Sequence, residues 1–353
     1  MPDWSSSMIQ TFEYYTVDPI SWLDDKRMVD VISSSINWDL NTDTLGSANI
    51  TVSNSFGEAY IRIYLVTIQN GIRERFPLGT FLVQSPSTSY DGKTLRISLD
   101  AYTPLIELKE KMPPIGYSIL KNTTIMDIAY SLCSENLRAP IIKADSAEKL
   151  SFDFVADPND TWASFIKDLI ANAKYDFALD ELSRVMFSPK QETAALQPVW
   201  TYNDDNSSIL YPEITLDHDM YGIPNVVEVT YSKGNSYMYA KATNNDPDSP
   251  ISTISRGREI LHRVTNPNFV GNPSQSELNE YAKNTLKEMS NLEYSVSYTH
   301  GYCPVRIGDC VRINYSRLDI GEIKAKVISQ TIECSSGCKV TEKAVYTMSL
   351  WGG

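Results

Sequence analysis

The chain has 353 residues, of which 42% are hydrophobic and 21% charged, enough apolar material for two or three ordinary globular domains. A net charge of −13 without any basic run excludes the clustered-cation grip that non-specific nucleic-acid binders need. The opening "MPDWSSSMIQ" has neither a basic nor an apolar signal region. No apolar run nears the ~20 residues of a membrane helix, so a soluble protein made in a cytoplasm, without stable membrane insertion, is expected. The 21 tyrosines exceed the 10 Phe and 6 Trp together, which favours strands and half-wet interfaces.

Residues 1–103 read as strands. "INWDLNTDTLGSANITVSN" has a polar turn between two strand-forming runs. Ala59 to Ile68, "AYIRIYLVTI", is apolar on both faces and predicts a strand covered on both sides or facing a partner. Asn70-Gly71 and Asp91-Gly92 are hairpin signals. After the second, Leu95, Ile97 and Leu99 alternate with Arg96, Ser98 and Asp100.

Residues 104–195 change character and predict a small α+β domain. "TPLIELKEK" is a short helix. Ile125, Ile128, Ala129, Leu132 and Cys133 share one helical face. Trp162, Phe165, Ile166, Leu169, Ile170 and Ala173 form the strongest helical stripe, with Asp160 as the expected N-cap. "YDFALDELSRVMFSP" reads as strand, turn, strand. Residues 196–353 return to strands. "NVVEVTYS" and "SYMYAKAT" flank a "KGN" turn, and one helix opens on a Ser274-to-Glu277 capping box. The end alternates through "EYSVSYTH", "CVRINY", "EIKAKVIS" and "KAVYTMSLW". The expected class is therefore β-rich α+β: two antiparallel β-barrel-like domains, 1–103 and 196–353, around a small α+β domain, 104–195.

Four of the five cysteines lie beyond residue 300: Cys303, Cys310, Cys334 and Cys338. Cys334-x₃-Cys338 and His300-x₂-Cys303 have spacings that a zinc site allows. Disulfides within the pairs Cys303/Cys310 and Cys334/Cys338 are a second reading, subject to Cα separations of ~4.4–6.8 Å. Free thiols in a β-rich domain are the third. No C-x-x-C opens a helix to lower a thiol pKa, so redox catalysis is not indicated.

Asp217, His218 and Asp219 look like a metal cluster in one dimension. On a strand the two carboxylates point opposite to the imidazole, which predicts a solvated strand end. His262 has no partner motif. No phosphate loop, dinucleotide fingerprint or nucleophile elbow is present. Carboxylate-based glycoside cleavage stays open at this level, because separations are not readable from sequence. "NDDNSS" and "NNDPDSP" read as solvated loops.

Taken in order, "SINWDLNTDTLGSANITV", "RFPLGTFLVQSPSTSYDGKTLRISLDAY", "NDTWASFIKDLIANAKYDF", "SRVMFSP", "VVEVTYS" and "CPVRIGDCVRINY" resemble the tail hub proteins of bacteriophages along almost the whole chain. The four late cysteines are a departure from that pattern. The resemblance implies a non-enzymatic virion protein without cofactor, assembled in the host cytoplasm. It implies a homotrimer whose six tail-tube-like domains match the sixfold tail tube protein on one face and a threefold spike or tail-tip protein on the other. Other baseplate proteins would surround it, and DNA would pass its channel without specific binding. No lysozyme or peptidase domain is expected after "LWGG". A cell-wall-degrading tail enzyme and a host-surface adhesin are the alternative classes.

Overall fold

A computed structural model describes all residues except Met1, Ser55, 206–207, 234–235, 268, 270–271, 317–319 and 352–353. Two sequence features fall partly there: Gly234 and Asn235 of the "KGN" turn, and Asn206 and Ser207 of "NDDNSS", lie outside the described residues. The chain forms two compact units. The first comprises Met1–Ile214 and Ser297–Ala344, and the second Thr215–Val296 and Val345–Gly353.

The protein is β-rich with large antiparallel sheets. In the first unit, neighbouring strands run Asp24–Met28, Ile9–Val17, Tyr60–Gln69, Ile72–Tyr90, Leu95–Tyr102, Gly46–Val52, Val31–Asp39 and then Ile320–Glu333. Among the described residues this order is an open path that ends at Asp24–Met28. The expected barrels therefore do not close. The last link is long-range: Ser329 to Glu333 pair with Asp39 to Ser35, so a C-terminal strand extends the N-terminal sheet.

Local chemistry explains each element. Both predicted hairpins form, with Asn70 at φ 52° and Gly71 at φ 79° supplying the left-handed pair a tight turn requires. The first eight residues of Tyr60–Gln69 are all buried, as the two-sided apolar pattern predicts. Ile72–Tyr90 serves two neighbours, Tyr60–Gln69 with its first half and Leu95–Tyr102 with its second. It bends at Gly79, where the register with Tyr60–Gln69 slips past Leu78. Gly79 has φ +143°, and a Cβ there would meet Phe81 at 2.7 Å and Trp38 at 2.8 Å. Only glycine fits that bend.

The middle of the chain packs onto this sheet. Helices Ile125–Asn136 and Trp162–Ala171 bury Leu132, Phe165 and Leu169 in one cluster with Val17, Trp22, Tyr60 and Leu82. The N-cap of the second helix is Thr161, one residue later than expected. Its hydroxyl accepts the Ser164 N–H, while the Ser164 hydroxyl accepts the Thr161 N–H at 3.0 Å. Asp160 instead accepts from the Ser164 hydroxyl, at 3.0 Å, so it supports the cap from one residue outside.

In the second unit, Ser236–Thr243, Val226–Lys233 and Leu261–Thr265 form a three-stranded sheet. Helix Gln275–Met289 begins at the predicted capping box, with Ser274 and Glu277 bonded reciprocally. It lays Leu278, Ala282 and Leu286 on Val227, Val229 and Ala240. "NNDPDSPIS" is pinned from within: Ile251 is fully buried, and the Asn244 side chain donates to the Ser249 hydroxyl at 2.9 Å.

Candidate functional site

The cysteine-rich end builds a buried polar cluster in the first unit. His300 and Tyr298 lie on strand Asn291–Gly301, Glu342 on Lys339–Ser349, Gln330 on Ile320–Glu333 and Tyr202 on Pro198–Asn203. The alternation of each strand turns these residues inward, and all five are buried. Glu342 is the hub of the bonds. Its Oε2 accepts from Tyr298 at 2.7 Å and Tyr202 at 3.2 Å, and pairs with His300 Nε2 at 3.3 Å. Its Oε1 accepts from Gln330 Nε2 at 2.6 Å, which also donates to the Val305 carbonyl at 2.9 Å.

Burial disfavours charge on both members of the pair, and the partners outweigh it. Burial alone would lower the His300 pKa; hydrogen bonds to Cys303 and Glu342 and the attraction of Glu342 raise it to about 10. For Glu342, burial pushes up, but bonds from His300, Tyr298 and Gln330 leave it below the usual carboxylate range. Burial and the Glu342 charge hold both tyrosines well above their ordinary value, so they remain donors. The result is an imidazolium–carboxylate pair at neutral pH with its oxygens saturated.

Cys303 completes what looks like a Cys-His-Glu relay, but the geometry serves packing. Its Sγ lies 3.9 Å from His300 Nδ1, which faces the Gly301 carbonyl at 2.6 Å. The sulfur contacts the Tyr202 hydroxyl at 3.3 Å and is fully buried. The other thiols are elsewhere. Cys310 starts strand Cys310–Tyr315 opposite Lys326. Cys334 and Cys338 bound the tight turn between Ile320–Glu333 and Lys339–Ser349, with Cys338 N–H donating to Ser335 at 2.9 Å. Each thiol is unbonded and buried. Burial raises the pKa of Cys310, Cys334 and Cys338, that of Cys334 to about 12, which keeps them protonated. Among the described residues no three His, Cys, Asp or Glu side chains are grouped to hold a metal.

Asp217, His218 and Asp219 do not assemble into a site either. His218 ends strand Leu210–His218 stacked on Tyr294 at 4.9 Å, and Asp219 accepts the Tyr221 N–H at 2.8 Å. His262 is half-buried on Leu261–Thr265. Sequence reasoning found His300 and Cys303 but missed Glu342, Tyr202 and Gln330. The signal was in "KVTEKAVY": Val340, Glu342 and Ala344 occupy the inward phase, so Glu342 is a carboxylate where the pattern asks for an apolar residue.

The second feature is an open cleft of about 620 Å³ in the first unit. Trp38, Leu78 and Tyr302 line it together with Asp176 to Leu179 of the hairpin strand Tyr175–Leu179. That hairpin is bolted in place at its tip. Trp22 Nε1 and the Thr80 hydroxyl donate to the Leu182 carbonyl at 3.0 and 2.9 Å, and Thr80 N–H donates to the Ser183 hydroxyl at 2.8 Å.

No family model and no curated protein matches the sequence. Solved structures do match. A tail protein from Neisseria meningitidis superposes with TM-score 0.63 at 12% identity, over 96% of both chains. The fold is that of phage tail proteins. The 43 kDa tail protein of prophage MuSo2 from Shewanella oneidensis gives TM-score 0.57 at 12% identity, over 97% of this chain and 98% of that one. The end-to-end coverage means that the tail-protein fold includes both units and the middle segment, not one shared module. At these identities the likeness resides in the backbone, not in particular side chains.

Proposed function

We propose that this chain is a structural, non-enzymatic protein of a phage tail, acting as the trimeric central hub of the baseplate or tail tip. The observation that carries this reading is the superposition on a tail protein over 96% of both chains. Segments 1–103 and 196–353 act as the two tail-tube-like parts of each copy, with 104–195 between them. Three copies then present six such parts to the sixfold tail tube, and the same ring seats a threefold spike or tip on its other face. A closed ring of this kind uses repeated head-to-tail contacts. Other baseplate proteins pack around it. The protein resides in the virion tail after assembly in the host cytoplasm.

Three further observations support the reading. The Cys303–His300–Glu342 grouping is buried, which suits a fastening and not a catalyst. The four late cysteines serve as buried packing groups: Cys303 beside that fastening, Cys334 and Cys338 at a turn, and Cys310 at the start of a strand. The net charge of −13 suits a channel that DNA crosses without sticking, because like charges repel. Immunogold labelling of intact virions and an assay on host cell wall test the proposal together. Label at the tail tip with no cell-wall turnover is the expected outcome. Turnover with stoichiometric zinc would replace the hub by a tail enzyme. Host-cell binding by the isolated chain would replace it by an adhesin.

A further inference from the structure

The cleft of about 620 Å³ borders an unpaired strand edge. Tyr175–Leu179 is the outer strand of a three-stranded sheet, with Val185–Pro189 on its inner side and Ile141–Ile142 beyond. The ladder fixes which main-chain groups point outward. Lys190 N–H donates to the Lys174 carbonyl and Asp180 N–H to the Arg184 carbonyl, while Val185 N–H turns away to Pro140. Even-numbered residues of the outer strand therefore bond to the hairpin partner. Tyr175, Phe177 and Leu179 direct their N–H and C=O groups to the free side. Among the described residues nothing pairs with these groups.

That free side faces the cleft. The five consecutive residues Asp176 to Asp180 all line it. A sheet face would expose only alternate residues, so this consecutive run brings the strand's main chain to the void, which also reaches Ser188 and Pro189 at the end of the partner strand. The tip contacts of Leu182 and Ser183 hold the edge in place before anything binds, which lowers the ordering cost of binding. Five strand residues present roughly 16 Å of edge, at about 3.3 Å each.

The charges in the cleft select the occupant. Asp176 is neutralised by Lys190 at 3.2 Å, Asp43 by Lys109 at 3.3 Å, and Asp180 by Arg184. Arg306 is engaged by Glu181 at 3.3 Å. Lys167 and Lys326 also line the cleft and have no acidic partner among the described residues. Against them stands Asp309, whose Oδ2 accepts the Arg306 N–H at 2.9 Å. One carboxylate thus faces two lysines that carry no acidic partner among the described residues. We propose that the cleft binds an extended, acidic peptide segment of another protein, which adds as a strand to the free edge of Tyr175–Leu179 and sets its carboxylates against Lys167 and Lys326. Main-chain bonds hold such a segment and the lysines choose it. The inference does not depend on the trimer.

The test uses the full chain and a fluorescein-labelled, end-capped peptide of alternating valine and glutamate, read by anisotropy. Saturable binding is expected, with slowed amide exchange at Phe177 and Leu179. A twin peptide with alternate amides methylated should not bind. The K167E/K326E double variant should bind roughly tenfold more weakly, with an unchanged circular dichroism spectrum. Absence of saturable binding overturns the proposal. So does equal affinity for the methylated twin or for a valine–lysine peptide. Protection of the Phe177 and Leu179 amides that rises with protein concentration, without peptide, also overturns it, because a second copy would then hold the edge.

Discussion

Replacing Glu342 by Gln tests the buried cluster most sharply. The substitution keeps the shape of the side chain and one acceptor oxygen. It removes the charge that faces His300 at 3.3 Å, and its NH2 must face either the two tyrosine hydroxyls or the Gln330 donor in place of an acceptor. An unpaired buried imidazolium must then lose its proton or open the structure, and breaking a buried pair costs about 3–5 kcal/mol. The pH dependence supplies a second magnitude. The His300 pKa stands near 10 when folded, against 6.5 ordinarily, a difference worth on the order of 4–5 kcal/mol. Because the folded value is the higher one, this contribution is fully present below pH 6.5 and is lost as pH rises toward 10. The lowered Glu342 pKa adds stability that is present above about 4.5 and is lost as pH falls through the folded value. Urea unfolding from pH 5 to 10 is the assay. The native chain should weaken steadily above pH 6.5, and E342Q should be several kcal/mol weaker at pH 6 and flatter in pH. An E342Q protein within about 1 kcal/mol of the native chain, with the same alkaline slope, would refute the reasoning.

Gly79→Ala forces a Cβ against Phe81 and Trp38 at a φ of +143° and should lower stability by about 2–4 kcal/mol, read as a fall in Tm by calorimetry. Ser274→Ala removes the hydroxyl half of the capping box on helix Gln275–Met289. It should cost about 1 kcal/mol, with faster amide exchange confined to the first turn. All five thiols should resist an aromatic disulfide reagent in the native protein and react after denaturation without reductant; recovery of three or fewer would mean that a pair is bonded.

Much of this fold is written in short-range patterns. The Asn70-Gly71 turn, the two-sided run Tyr60–Gln69 and the Ser274–Glu277 box each form as their local chemistry dictates. What the sequence hides is long-range. Nothing near Ser35 or Ser329 announces that their strands pair, since that register is fixed by packing between segments almost 300 positions apart. The open path of the sheet follows from the same unreadable pairings, which is why barrel closure was a natural but incorrect expectation. The N-cap shift from Asp160 to Thr161 is smaller: both residue types cap well, and the reciprocal Ser164 bond decides between them. At the site, His300 and Cys303 stand out because both residue types are scarce. Glu342 and Tyr202 do not, because Glu and Tyr are abundant here and their convergence needs four strands brought together in space.

Electron microscopy of the purified protein tests the hub claim most directly. Particles with threefold symmetry around an open central channel are the predicted result. A monomer under conditions that preserve the fold, or a closed assembly without a channel, would contradict it.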